Sequence, residues 1–309
     1  MPRVSVLMPV HNSAAYLADA LRSISDQTFS DFELLAIDDG STDGSTELLR
    51  KYLATEPRMK LVARPRQGLI ATRNELLRMA SGDLVAWMDS DDVSLPNRLA
   101  LQVRRFDDDP DLVCVGTHAR CTDPDGFPLN AEVYPQGHEA IIVGQASGGA
   151  MRFATTMMLR NAAQRLQGFR EPFRMGEDFD FLLRLSETGK MENLPVELYL
   201  YRQHVGSVCA TLGAHWHAYR DAILDLARER KQCGSDRLQR GEGLKLDVPA
   251  KLAPGQVEAR VYALWASHCL ANGNRPLAWK YARAAVLSGP LVLYSWKVAA
   301  RAAWARMMR

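Results

Sequence analysis

Three carboxylates fall within four residues at Asp89-Ser90-Asp91-Asp92, directly after the apolar run Leu84–Met88. Like charges packed this closely raise the cost of ionising one another unless a cation neutralises them. Oxygen ligands of this kind suit Mg²⁺ or Mn²⁺, which take one or two carboxylates and complete their shell with phosphate oxygens. The competing account is an acidic turn capping the helix that opens near Pro96. A second acidic segment, Asp38-Asp39-Gly40-Ser41-Thr42-Asp43-Gly44-Ser45, reads either as part of the same site or as a strand-to-helix turn capped by Asp43. Gly176-Glu177-Asp178-Phe179-Asp180 opens a helix whose apolar face includes Phe179, Leu182 and Leu183. Acids in a first helical turn also complement the helix dipole without doing chemistry. Tyr201-Arg202-Gln203-His204 places a histidine after a strand, and taken alone that histidine reads as structural.

The elements around these residues supply the reason to group them. Apolar runs at Val4–Met8, Phe32–Ile37, Lys60–Ala63, Leu84–Met88 and Leu112–Gly116 read as strands. Helical spacing falls between them, at Ala14–Ile24 with Ser13 as its cap, Thr46–Leu53, Gly68–Met79 and Pro96–Phe106. Strands alternating with helices of this length imply βαβ units and a mostly parallel sheet. In open parallel sheets ligands bind beyond the carboxyl ends of the strands. His11, Asp38, Asp39, Asp89 and Asp91 all sit at or just past such ends, so they are expected to converge on one crevice.

Beyond the turn at Asp123-Pro124-Asp125-Gly126 the pattern loosens. Met151–Leu159 and Glu197–Tyr201 read as strands, and Glu177–Glu187 and His215–Gln232 as helices. Residues 233–255, rich in Gly, Pro and charge, read as a linker. Three more helices are expected near 256–272, 276–288 and 290–308. The domain expectation is a catalytic domain over 1–210 and a helical extension over 211–309.

Six segments occur in a fixed order: Val6-Leu-Met-Pro-Val-His-Asn, Gln27 through Asp43, Gly68-Leu with Arg73-Asn74, Asp89-Ser-Asp-Asp, Gly176-Glu-Asp and Tyr201-Arg-Gln-His. Over about residues 4–208 this set resembles glycosyltransferase family 2, whose members have the GT-A fold. The resemblance implies an α/β, Rossmann-like sheet flanked by helices and an inverting nucleotide-sugar glycosyltransferase. Asp39 would receive the nucleotide base, with Pro9, His11 and Arg73 lining the same pocket. Asp89, Asp91 and Asp92 would serve ribose, diphosphate and metal (Mn²⁺ or Mg²⁺), with His204 near the metal or diphosphate. Asp178 would be the base for the acceptor hydroxyl, with Asp180 its local rival. The expected partners are a nucleoside-diphosphate sugar, with UDP the family's commonest nucleotide, and a saccharide or lipid-linked acceptor of bacterial surface polysaccharide or glycolipid synthesis. No nucleic-acid partner is expected.

The chemistry needs such a set. A departing nucleoside diphosphate develops negative charge that a divalent cation stabilises as a Lewis acid. A sugar hydroxyl is a poor nucleophile, and a carboxylate that takes its proton is worth ~10²–10⁴-fold in rate. One carboxylate base without an enzyme nucleophile implies single displacement and inversion. Competing readings are a haloacid dehalogenase-type phosphatase, a sugar-1-phosphate nucleotidyltransferase and a non-catalytic nucleotide-sugar-binding protein with a vestigial site. The first two lack their signatures: Asp91 is followed by Asp92-Val93, and the first strand by His11-Asn12-Ser13 rather than a Gly-rich basic loop.

The 309 residues are 47% hydrophobic and 24% charged, which suits a globular chain. Net charge is +2, but from Gln256 onward eight Lys and Arg face only Glu258, giving +7 there and −5 over residues 1–255. Five cysteines without CxxC spacing argue against a disulfide framework or zinc site. The lack of a secretory signal or a ~20-residue apolar span leads to an expectation of a cytoplasmic protein. Peripheral contact at the inner face of an anionic membrane is a further expectation, because Leu293, Trp296, Ala300, Ala303, Trp304 and Met307 share one side of the last helix. Lys297, Arg301, Arg306 and Arg309 fall on the other half of the turn. The alternative is that both tryptophans pack on the helices near 256–288.

Overall fold

The computed structural model describes residues 1–146, 149–207, 209–210, 215–246 and 253–307. Its first half follows the expected alternation: β1 (Val4–Val10), α1 (Leu17–Ser25), β2 (Phe32–Asp39), α2 (Ser45–Leu53), β3 (Met59–Arg64), α3 (Leu69–Met79), β4 (Leu84–Trp87), β5 (Val93–Ser94), α4 (Arg98–Asp108) and β6 (Leu112–Thr122). Next come β7 (Pro128–Glu132), α5 (His138–Ala146), a 3₁₀ turn (Phe153–Thr155), β8 (Met157–Leu159), α6 (Arg160–Arg165), α7 (Glu177–Ser186) and β9 (Lys190–Arg202). Four helices close the chain: α8 (Trp216–Cys233), α9 (Pro254–Ala271), α10 (Arg275–Ser288) and α11 (Leu293–Met307).

The strands run in the order β3-β2-β1-β4-β8-β6-β9-β5, with β7 paired to β6. Parallel pairing holds from β3 to β4. Beyond β4 the strands turn antiparallel, at β4–β8, β8–β6 and β5–β9. The parallel reading therefore covers half the sheet, since β6 meets β8 rather than extending the βαβ series.

Both faces of the parallel half are covered, which explains its continuous apolar runs. Val4, Val6, Met8 and Val10 enter one core with Leu34, Ala36, Leu84 and Ala86, while Leu7, Leu35, Ile37, Val85 and Trp87 enter the other. The alternation follows from the two-residue period of a strand. Burying one such Leu or Val removes ~1.5–3 kcal/mol of unfavourable hydration.

Several local expectations change. Met151–Leu159 is not one strand but the 3₁₀ turn followed by three residues of β8. Ser13 does not cap α1 through its hydroxyl, which lies 2.6 Å from that of Ser90. Within the segment read as a linker, Asp236 is fully buried and accepts Arg170 at 2.7 Å and Arg230 at 2.6 Å.

The chain forms two compact units, each assembled from separate stretches rather than divided at one point. The first comprises Met1–Ala119, Val133–Tyr201 and Arg220–Leu244. The second comprises Arg120–Glu132, Arg202–Tyr219 and Lys245–Arg309. In the second, Trp265 and Tyr281 meet edge to face at 5.1 Å, and the Tyr281 hydroxyl donates to buried Asp123. α11 buries Ser295, Val298 and Ala302, so Trp296 and Trp304 do not pack inward. Arg309 lies outside the described residues. Among the described residues no helix is long and apolar enough to cross a membrane.

Candidate active site

The candidate residues begin where the sheet's pairing runs out. The β1–β4 register ends at Leu7 with Trp87, so Pro9 lies past it on that side, where a missing N–H is tolerated. His11 follows, and its Nδ1–H donates to the Asp39 carbonyl at 2.9 Å. That bond leaves Nε2 as acceptor, with the Asn12 amide 3.3 Å away.

The two acids at the end of β2 have different tasks. Asp38 accepts Ser41 N–H at 3.1 Å and the Thr46 hydroxyl, so it shapes the turn into α2. Asp43 accepts the N–H groups of Ala14 at 2.9 Å and Ser45 at 3.0 Å, tying the β1 loop to the start of α2. Asp39 accepts Gln67 N–H at 2.9 Å and Gly68 N–H at 2.7 Å, with Arg64 at 3.2 Å. Two backbone donors use one lone pair on each carboxylate oxygen and leave further acceptor capacity. Gly40 makes this approach possible: with φ +73°, a Cβ there would stand 2.7 Å from the Arg66 backbone nitrogen.

At the end of β4, Asp89, Ser90 and Asp91 form a turn closed by Asp92 N–H donating to the Asp89 carbonyl at 3.4 Å. The Ser13 hydroxyl meets that of Ser90, so the β1 loop is tied to the acid turn. Asp89 and Asp91 are partly exposed, whereas Asp92 is wholly buried. Asp92 therefore points away from solvent, and the carboxylates offered to a ligand from this turn are Asp89 and Asp91.

Helix α7 begins at Gly176, whose φ of +80° needs no Cβ, and brings Glu177 and Asp178 toward the same turn. Arg73 of α3 lies between the two sets of acids. It donates to Glu177 at 2.6 Å and lies 3.9 Å from Asp89. Burial pushes the Glu177 carboxyl up to about 7, with Asp178 and Asp89 adding to the rise and Arg73 opposing it. Burial likewise pushes Asp89 up to about 6, opposed by Arg73 and reinforced by Asp91 and Asp178. Since 30% of the Asp89 side chain still reaches solvent, water moderates that rise. Asp178 is half-buried and accepts Phe179 N–H at 2.7 Å. Asp180 is fully buried and committed to Arg170 and to Arg184 at 2.9 Å, which leaves it no access to a substrate.

Behind the acids lies a support that motif reading overlooks. Arg98 is fully buried, donates to the Trp87 carbonyl at 2.7 Å and stands 5.0 Å from the Tyr199 ring. Burial lowers it to about 10, against the pull of Tyr199, Asp89 and Asp92. The Tyr199 hydroxyl accepts Asp89 N–H at 3.2 Å. Gln102, one turn after Arg98, donates to the Val115 and Thr155 carbonyls at 2.7 and 2.9 Å. The available signal was two polar residues, Arg98 and Gln102, on the face of α4 that also carries Leu99, Val103 and Phe106. Beneath Arg73, an aromatic floor includes Phe153 at 4.8 Å and Phe169 at 5.5 Å. Asn74 holds Phe169 by both its backbone N–H, at 2.7 Å, and its carbonyl, at 3.0 Å.

The sheet thus brings together Pro9, His11 and Asp39 at one end of the parallel strands, and Asp89 and Asp91 with Arg73 and Asp178 beside them. Arg73, expected beside the base, bonds Glu177 of α7. His204 belongs to the second unit, where its carbonyl accepts Ser207 N–H at 3.1 Å. Among the described residues no group of three His, Cys, Asp or Glu is placed to hold a metal. Two partly exposed carboxylates, one resisting ionisation, fit a cation that completes its shell with substrate oxygens rather than a closed protein cage.

The model for glycosyl transferase family 2 matches residues 5–166. A Bacillus subtilis protein named as glycosyltransferase EpsE is 35% identical over 207 residues, covering 65% of this chain and 73% of that one. Chondroitin synthase of Pasteurella multocida is 30% identical over 195 residues, 63% of this chain, and this stretch spans only 20% of that protein's length. Among solved structures, S. aureus TarS in complex with UDP-GlcNAc superposes with a TM-score of 0.57 at 16% identity, covering 97% of this chain and 79% of that one. That likeness shows the α/β fold of the GT-A type expected from the motifs.

Proposed function

The chain belongs to glycosyl transferase family 2, and from that premise we propose that it is an inverting transferase moving a sugar from a nucleoside-diphosphate donor to an acceptor hydroxyl. The observation that carries this reading is the meeting of the β4 acids and the α7 acids around Arg73. Donor and acceptor chemistry require carboxylates of both kinds within one substrate's reach.

In this reading Asp39, with Pro9 and His11 beside it, accepts an N–H of the nucleobase, and UDP is the donor nucleotide. Asp91, with Asp89, would hold a divalent cation, Mn²⁺ or Mg²⁺. When bound, that cation supplies Lewis-acid stabilisation of the departing diphosphate. Asp92 supports the turn from its buried position beside Arg98. Asp178 takes the proton of the acceptor hydroxyl as its oxygen attacks the anomeric carbon, and the bond to the diphosphate breaks on the opposite face. A single displacement inverts that carbon. The acceptor is a saccharide or lipid-linked sugar of bacterial surface polysaccharide or glycolipid synthesis at the cytoplasmic side, a reading supported by relatives named for glycosyl transfer and chondroitin synthesis.

The test is a panel of UDP- and GDP-sugars with Mn²⁺ and saccharide acceptors, the anomer of the product being read by NMR. Turnover of one donor, with inversion, is expected of the native chain and lost in Asp178→Asn. A product of retained configuration overturns the single displacement. Donor binding without turnover on any acceptor or water identifies a vestigial site.

A further inference from the structure

A helix in a folded protein ordinarily buries its larger apolar side chains and exposes its smaller or polar ones. In α11 the order is reversed. Ser295, Val298 and Ala302 face the second unit's core, at 0, 1 and 0% exposure. Leu293, Trp296, Trp304 and Met307, on the opposite side of the helix, are 78, 53, 61 and 75% exposed. Water gains nothing from such a face, and patches of this kind mark interaction surfaces.

Three further observations bear on what covers it. The Trp296 indole N–H donates to the Pro290 carbonyl at 2.8 Å, so the ring can leave water without stranding its one donor. At the start of the helix an open groove of ≈ 620 Å³ is lined by Leu264, Leu291, Leu293 and Tyr294, with Arg260 and Gln256 as its polar members. Lys297 and Arg301 are exposed beside the apolar side of α11.

Charge then separates the occupants. From Gln256 onward the chain carries eight basic residues against one acid. A second copy meeting the first through this face would bring like charge to like charge. Apolar and aromatic side chains bordered by Lys and Arg complement the boundary of an anionic bilayer, where the rings enter the acyl edge and the cations meet phosphates. We propose that the outward face of α11, with the adjoining groove, docks on an anionic lipid surface. This goes beyond the transferase reading and does not depend on it.

The full chain is mixed with phosphatidylcholine vesicles with and without phosphatidylglycerol, and the bound fraction is read by sedimentation at low and high salt. Binding to the anionic vesicles alone, weakened by salt, is expected, with tryptophan emission quenched by brominated acyl chains. The pair Trp296→Ser and Trp304→Ser, and separately Lys297→Glu with Arg301→Glu, each lowers partitioning about tenfold. All four side chains are exposed, so circular dichroism should be unchanged. The proposal is overturned if the native chain ignores anionic vesicles, if both variant pairs bind as it does, or if it dimerises in lipid-free buffer with both tryptophans shielded from acrylamide. Donor binding by calorimetry without lipid reports on the transferase site separately, so either reading can fail alone.

Discussion

Arg73 and Glu177, 104 positions apart, form a buried ion pair at 2.6 Å that joins α3 to the start of α7. Arg73 also lies 3.9 Å from Asp89, so one guanidinium restrains both groups of acids. The catalytic reading depends on that restraint, since Asp178 follows Glu177 directly.

Replacing Arg73 by Met keeps much of the side chain's length and removes its charge. Breaking a buried pair by removing one partner costs ~3–5 kcal/mol, because the other group stays buried without it. Urea unfolding at pH 7.5 should show a loss in this range. A stability within experimental error of the native chain would mean Glu177 finds another partner or takes up a proton.

The raised Glu177 carboxyl makes a signed pH prediction. Its value moves from 4.5 to about 7 in the folded chain, so between those limits the native state holds a proton that the unfolded state has released. Stability therefore falls as pH rises through this window and levels off above it. The stability of the native chain minus that of Glu177→Gln should decline from pH 5 to pH 7, measured by urea unfolding at each pH. A flat difference shows that Glu177 ionises normally.

Asp178 and Asp180 should respond oppositely to the same substitution. Asp178→Asn keeps fold and donor affinity and loses transfer by ~10²-fold or more. Asp180→Asn removes the charge that Arg170 and Arg184 share in a fully buried position, so it lowers stability by ~3–5 kcal/mol. Parallel transfer assays and unfolding curves decide this, and full activity in Asp178→Asn would exclude it as the base.

Asp91→Asn tests the metal assignment. Calorimetry should show Mn²⁺-dependent UDP binding in the native chain and none in the variant, with circular dichroism unchanged. Undiminished binding would remove Asp91 from the cation site.

Residue order alone determined the parallel half of the fold and the acids at its edge. Strand and helix periods are local, and residues that close a parallel strand reach the same edge whatever packs around them. Val4–Met8, Phe32–Ile37 and Leu84–Met88 were legible for that reason, and so were Asp39 and Asp89 beyond them. Partners far apart in sequence were not legible. Nothing near Asp236 indicates that Arg170 and Arg230 will meet it, and nothing in the acid motif points to Arg98 and Tyr199 behind it. The antiparallel half and the reversed helix α11 belong to the same class. β8 is too short to carry a pattern, and α11 is apolar on two sides, so its periodicity names no inward face. Neighbours settle such cases: a close helix contact admits Ser295 and Ala302 and leaves no room for the indoles of Trp296 and Trp304.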